Sequence, residues 1–141
     1  MEREFIFRPL DISDCRFLAE YAAECEGISE SREISEIERR LKQRFKDTNY
    51  VGVIALSGNE RIGFQDGVIV NQRMELNEIY VKPEYRRKGV AEQLLNEIIS
   101  IAKSRGVKRI VYHTEPDNAA MQKLGEKAGF SLKGLIYEKE L

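Results

Sequence analysis

With 141 residues, the chain is long enough for one domain with one sizeable core and too short for two ordinary domains. It is 42% hydrophobic and 33% charged, a globular composition, and a net charge of −1 gives no bulk attraction to nucleic acid. The longest apolar runs, Val53 to Leu56 and Val68 to Val70, are far too short to span a membrane.

The N-terminus, MEREFIFRP, lacks the apolar core of a secretory signal. Cys15 and Cys25 cannot build a disulfide framework, and with His113 as the single histidine a structural zinc site is not expected. The expectation is one domain over residues 1–141, without a metal, in the cytoplasm, with neither nucleic acid nor membrane as a partner.

Phe5 and Phe7 before Pro9 suggest a short first strand ending near Arg8. Ser13 can cap a helix with the stripe Phe17, Leu18, Tyr21, Ala22 and Cys25, stopped by Gly27. Both cysteines fall on this helix and read as packing thiols. After a serine-rich link, Ile34, Ile37, Leu41 and Phe45 stand at helical spacing. The outer positions of both helices are acidic, which is either a solvated face or a mouth that attracts a cation.

Tyr50 to Leu56 reads as a strand and Ser57-Gly58-Asn59-Glu60 as a hairpin turn. The returning strand runs from about Arg61 to Val70, with a bulge or turn at Asp66-Gly67. Asn71 to Arg73 turns the chain again, and a strand from Met74 to Lys82 stops at Pro83. Val90, Ala91, Leu94, Leu95, Ile98, Ile99 and Ala102 then form the apolar stripe of the most legible helix, ended by Gly106. A strand from Arg109 to Thr114, a turn at Glu115-Pro116-Asp117, a helix carrying Met121, Leu124 and Ala128, and terminal β structure from Phe130 complete the order β-α-α-β-β-β-α-β-α-β. The fold class is a mixed α/β arrangement whose Leu76–Thr114 unit should be parallel and right-handed.

Arg86-Arg87-Lys88-Gly89-Val90-Ala91 sits where a strand gives way to a helix. The first amides of a helix have no internal partner and carry the positive end of its dipole. Beside a glycine and three cations they make a pyrophosphate cradle. A nucleotide P-loop fits badly because no Lys-Ser/Thr pair follows spaced glycines, and a dinucleotide fold lacks the further glycines of G-x-G-x-x-G.

Arg86, Gly89 and Ala91, with the segment IYVKPEYR that ends at Arg86, resemble motif A of the GCN5-related N-acetyltransferase (GNAT) superfamily. Asn118 to Phe130 resembles its motif B helix and following strand. The resemblance implies a mostly antiparallel mixed sheet with a central parallel β-α-β unit and flanking helices. It implies acetyl-CoA as cofactor and acetyl transfer by direct attack of a primary amine, from a small cationic molecule or a peptide. Backbone amides of Arg87, Lys88, Gly89, Val90 and Ala91 would hold the pyrophosphate, with Arg86 the motif's cation. Main chain at Ile79, Tyr80 and Val81 would pair with the pantetheine and polarise the thioester. Asn118 would reach the pantetheine arm or act as a plain helix cap, Asp117 being able to cap instead. The family also makes a homodimer a common arrangement.

Glu75 stands where many members carry a glutamate, and Glu78 is the second candidate base. Regular alternation would put Glu75 with Asn77 and Ile79 on one face and Glu78 with Leu76 and Tyr80 on the other, so only one could face the acceptor. Motif position favours Glu75. The acid departs from the family: the usual tyrosine, seven residues after the asparagine, is Gly125. Tyr137, Tyr112 and Tyr85 are the substitutes at hand; Tyr137 is the named candidate, though nothing in the sequence chooses among them. Glycine inside a helix costs about 1 kcal/mol against alanine, which signals close packing there. It also leaves open a second reading, a weak or inactive acyl-CoA-binding module of the same fold.

Overall fold

A computed structural model describes residues 4–141; residues 1–3, the start of the polar N-terminal run, lie outside the described residues. Five strands form one sheet in the order β1 (Ile6–Pro9), β2 (Tyr50–Ser57), β3 (Glu60–Val70), β4 (Arg73–Val81), β5 (Arg109–Val111). The first four are antiparallel neighbours, and β4 and β5 run parallel. The helices are α1 (Cys15–Glu26), α2 (Ser31–Arg44), α3 (Val90–Ser104) and α4 (Ala119–Lys127).

The apolar stripe of α3 packs on one face of the sheet: Leu94, Leu95 and Ile98 meet Val53, Ile62, Met74 and Leu76. On the other face α1 and α2 bring Leu18, Ala19 and Leu41 against Ile54 and Phe64. Asp14, fully buried before α1, accepts two 2.8 Å bonds from the Arg8 guanidinium and a third from Arg61 Nε at 2.8 Å. It thereby joins β1, α1 and β3.

The register of β3 and β4 slips at Asp66, as the Asp66-Gly67 interruption suggests. Gln65 pairs with Ile79 and Gly67 with Leu76, so Asp66 stands opposite both Asn77 and Glu78. The extra residue lies in β4, and it breaks the alternation expected there. Leu76 and Ile79, three apart, now pack in the same core cluster, while Tyr80 joins the cluster under α1.

Four local expectations are corrected. Ser13 does not cap α1: a 3-10 turn, Ile12–Asp14, precedes it, and Asp11 caps that turn by accepting from the Ser13 amide at 2.8 Å. Cys15 is buried, its thiol pushed up to about 11 by burial, but Cys25 is exposed because it falls on the last turn of α1 beyond the packed stripe. The strand after α3 ends at Val111, not Thr114, since its ladder with β4 stops where the bulge turns β4 aside. Residues 130–141 hold no strand; Leu132, Leu135, Ile136 and Tyr137 are exposed. A strand needs a ladder partner, and the sheet ends at β5, whose three residues pair with β4.

Candidate active site

α3 opens on Gly89 in the left-handed region at φ 81°, and no side chain caps its first turn. A Cβ on Gly89 would meet no atom within 4 Å, so open space lies directly over this backbone. The preceding Arg87 also has positive φ, 62°, and the Arg86 Nε donates to the Val81 carbonyl at 2.8 Å, tying the loop to the end of β4. These features front a groove of about 830 Å³. Ile79, Tyr80 and Val81 line its middle, and Asn118 lines it from α4.

The β4–β5 ladder stops at Glu75–Val111, yet β4 continues to Val81. Beyond Glu75 the β5-facing edge of β4 therefore has no strand partner, although the Val81 carbonyl accepts from Arg86 and the Glu78 amide donates to Asp66. An extended amide chain can add to such an edge. An anion at the α3 terminus and an amide-bearing arm along β4 are thus both accommodated, which is the shape and chemistry of coenzyme A. Among the sequence-chosen cofactor positions, Ile79, Tyr80, Val81, Arg86, Arg87, Gly89, Val90 and Ala91 line the groove; the Lys88 ammonium instead lies 5.6 Å from the Tyr85 ring centroid. Asn118, not Asp117, caps α4, accepting from the Met121 amide at 3.1 Å.

A second cavity, about 260 Å³, adjoins the groove where β4 and β5 separate. Tyr21, Ile79, Asn118 and Met121 line both. Glu78 lines the smaller one, and its carboxylate accepts from the Tyr21 hydroxyl at 3.2 Å. The Glu78 amide, freed from the ladder by the bulge, donates to Asp66 Oδ1 at 2.9 Å. Asp66 is buried; Tyr50 Oη donates to its Oδ2 at 2.6 Å, and Arg44 stands 3.8 Å away. Burial outweighs these partners and pushes the Asp66 carboxyl above its ordinary value. Gln65, also lining the cavity, keeps its buried Oε1 without a hydrogen-bond partner among the described residues.

Glu75 is elsewhere: it is exposed, paired with Arg73 at 2.7 Å, and lines neither cavity. Of the two glutamates, Glu78 and not Glu75 lines the smaller cavity, beside the bulge at Asn77–Glu78. Tyr137 is 89% exposed on the terminal segment and lines neither cavity. Tyr85 donates to Glu60 at 2.8 Å. Tyr112 lines the smaller cavity and donates to the Met121 carbonyl at 3.2 Å; burial raises its hydroxyl above the ordinary tyrosine value. On the acidic helices, Glu20 pairs with Arg16, and Glu36 with Arg39 and Arg40, while Glu24 lines the groove.

Sequence reasoning missed Tyr21, Gln65 and Asp66 as site residues. Tyr21 looked like one more member of an apolar stripe, and Gln65 carried no signal. The Asp66-Gly67 interruption was the one available hint.

The model of the Acetyltransferase (GNAT) family matches residues 15–130. The chain belongs to this family. Among curated proteins, the aminoglycoside N(6')-acetyltransferase type 1 of Salmonella typhimurium is 29% identical over 86 residues, 55% of this chain and 59% of that protein. N-alpha-acetyltransferase 30 of Schizosaccharomyces pombe is 40% identical over 54 residues, 38% of this chain and 36% of the relative. The chain thus spans less than two thirds of the length of these curated relatives. Among solved structures, the aminoglycoside acetyltransferase AAC(6')-Iy, in complex with a CoA bisubstrate analogue, superposes with a TM-score of 0.75 at 21% identity, covering 98% of this chain and 99% of that one. The GNAT fold is therefore shared along nearly the whole chain, including the mostly antiparallel sheet with its one parallel pair. No helix among the described residues is long and apolar enough to cross a membrane.

Proposed function

We propose that this GNAT-family chain transfers an acetyl group from acetyl-CoA to a primary amine on a small, cationic molecule. The carrying observation is the junction of the two cavities: an uncapped, arginine-flanked helix terminus and an unpaired strand edge lead to a pocket that holds Glu78. Bound there, acetyl-CoA supplies an activated thioester. The amides of residues 87–91 and Arg86 hold its pyrophosphate. The Ile79–Val81 backbone aligns the pantetheine and donates to the thioester oxygen, where negative charge develops, and Asn118 steadies the arm from α4. Glu78 takes the proton that an attacking amine must lose, a contribution of about 10²–10⁴-fold. A thiolate with an ordinary pKa of about 8.5 leaves tolerably near neutral pH.

The named activity of the Salmonella relative favours a multiply aminated small molecule as acceptor, and Glu24 and Glu78 supply the matching charge. The fission-yeast relative makes a peptide α-amine the alternative acceptor class. Gly125, in place of the family tyrosine, favours a second reading, a slow or inactive acyl-CoA-binding module. A cytoplasmic location and a homodimer complete the proposal; the exposed apolar side chains of residues 132–137 are the surface a second copy would cover.

The test is thiol release from acetyl-CoA across a panel of polyamines, amino sugars, amino acids and peptides. Turnover on a polyamine or amino sugar supports the proposal. Tight CoA binding without turnover on any amine supports the binding module instead. Glu78→Gln should lose about 10²-fold or more in kcat, and Glu75→Gln less than about threefold; the reverse order would restore Glu75 as the base.

A further inference from the structure

We propose that Tyr21 is a catalytic residue of this reaction, carrying a proton between Glu78 and the sulfur that leaves. The inference rests on the acetyl-transfer reading and adds to it a residue from α1, the first helix. Three observations converge on this side chain. It lines both cavities, so it stands at the boundary between the acyl-donor groove and the pocket of Glu78. Its hydroxyl donates to Glu78 Oε2 at 3.2 Å, and it is the one side chain among the described residues that donates to that carboxylate. Its ring is held in place, 4.4 Å from the Tyr80 ring centroid and edge-on to Phe64 at 5.5 Å.

Three other tyrosine hydroxyls are committed elsewhere: Tyr112 to the Met121 carbonyl, Tyr50 to Asp66, and Tyr85 to Glu60. Burial, together with neighbouring Cys25 and Glu78, raises the Tyr21 hydroxyl above its ordinary value, so it keeps its proton through the neutral range. So weak an acid protonates a thiolate poorly alone. Coupled to a protonated carboxylate it serves as a relay, since the proton finally comes from the stronger acid.

The balance is complete. The amine nitrogen bonds to the acetyl carbon, and the carbon–sulfur bond breaks with its electron pair remaining on sulfur. Glu78 accepts the proton that nitrogen gives up. Tyr21 passes its hydroxyl proton to sulfur and recovers one from Glu78. One proton has moved from nitrogen to sulfur, and both side chains return to their starting state.

Tyr21→Phe keeps the ring and removes only the relay. The first measurement is independent of turnover: the ionisation midpoint of the thiol of bound CoA, followed by thiolate ultraviolet absorbance. A hydroxyl donating to a thiolate lowers that midpoint, so Tyr21→Phe should raise it by about one unit, while Tyr112→Phe leaves it at the wild-type value. The affinity for desulfo-CoA should stay within about twofold of wild type, which establishes that the groove is intact. The second measurement is the rate of acetyl transfer. Tyr21→Phe should lose about 10²-fold, and the double variant Tyr21→Phe/Glu78→Gln should be scarcely slower than Glu78→Gln, as for residues acting as one unit. An unchanged thiol midpoint in Tyr21→Phe, or additive losses in the double variant, would overturn the relay while leaving the acetyl-transfer reading standing. A wild-type protein that binds CoA but acetylates no amine removes both.

Discussion

The hydroxyl of Tyr112 lies where a side chain on Gly125 would begin: a Cβ on that glycine would overlap the oxygen and come within 2.8 Å of the ring carbon bearing it. The glycine in the motif B helix is therefore a packing requirement imposed from β5's exit. Gly125→Ala gains about 1 kcal/mol of helix propensity but forces the ring aside, an overpacking cost of about 1–3 kcal/mol. The net expectation is a destabilised protein, read as a lower urea midpoint. Tyr112→Ala should make Gly125→Ala neutral or stabilising, and a double-mutant cycle measures that coupling.

Asp14 carries the acid side of the stability profile. Burial alone would raise its carboxyl, but the bonds from Arg8, the Asp11 amide and Arg61 together bring it below the ordinary value. A depressed folded-state pKa contributes stability above the unfolded value of about 3.9 and loses it as pH falls through the folded value. Asp14→Asn strips Arg61 of its counter-charge and leaves Arg8 only Asp11, at 3.6 Å. At neutral pH it should cost about 3 kcal/mol, the low end for breaking a buried pair because both arginines keep some solvent. The gap to wild type should close as pH is lowered below about 4. Urea unfolding across the acid range checks both expectations.

Asp66 has the opposite sign. Its carboxyl is raised, so the folded protein holds the proton more tightly than the unfolded chain, and ionising the group costs stability as pH rises from about 3.9 through the folded value. Asp66→Asn lacks this dependence. The melting temperature of the variant should gain on wild type across that window and then run parallel to it. Asp66→Ala, which leaves the Glu78 amide and the Tyr50 hydroxyl without acceptors, should instead lose about 1–3 kcal/mol for each buried orphan.

Gly89→Ala separates stability from binding. The left-handed backbone makes a Cβ cost about 1–2 kcal/mol, yet that Cβ meets no protein atom. It projects over the amides assigned to the pyrophosphate. Titration calorimetry should show CoA binding weakened about tenfold, or about 1.4 kcal/mol, while adenosine, which carries no pyrophosphate, gives no difference between the two proteins.

Much of this fold can be read from its one-dimensional pattern. The α3 stripe is regular enough to define a buried face, and Val90, Leu94, Leu95, Ile98 and Ala102 are all buried as that pattern requires. The cationic turn before α3 is equally plain, because uncapped amides, glycine and arginines coincide in the six residues from Arg86 to Ala91. Which of Glu75 and Glu78 lines the pocket is not legible in that way. The slipped register between them arises only when β3 and β4 pair, and period-two counting cannot anticipate it. Tyr21 illustrates the same limit from another side: an aromatic in a helical stripe looks like core until its hydroxyl is seen against a strand 57 residues away. The terminal segment differs as well: its sequence suggests strand, but residues 130–141 pair with no strand of the sheet.

The bulge in β4 has a consequence for how such a site can change. The bulge beside Glu78 is a matter of residue count, one extra position of β4 opposite Asp66. Substitutions can alter the charge at that point but cannot move it along the strand. Removing Asn77 would restore an even ladder in which Glu78 pairs with Asp66, and the side-chain anchor of the Glu78 amide would be lost in the same step. Point changes therefore leave the bulge in place, whereas a single-codon deletion is the genetic event that removes it.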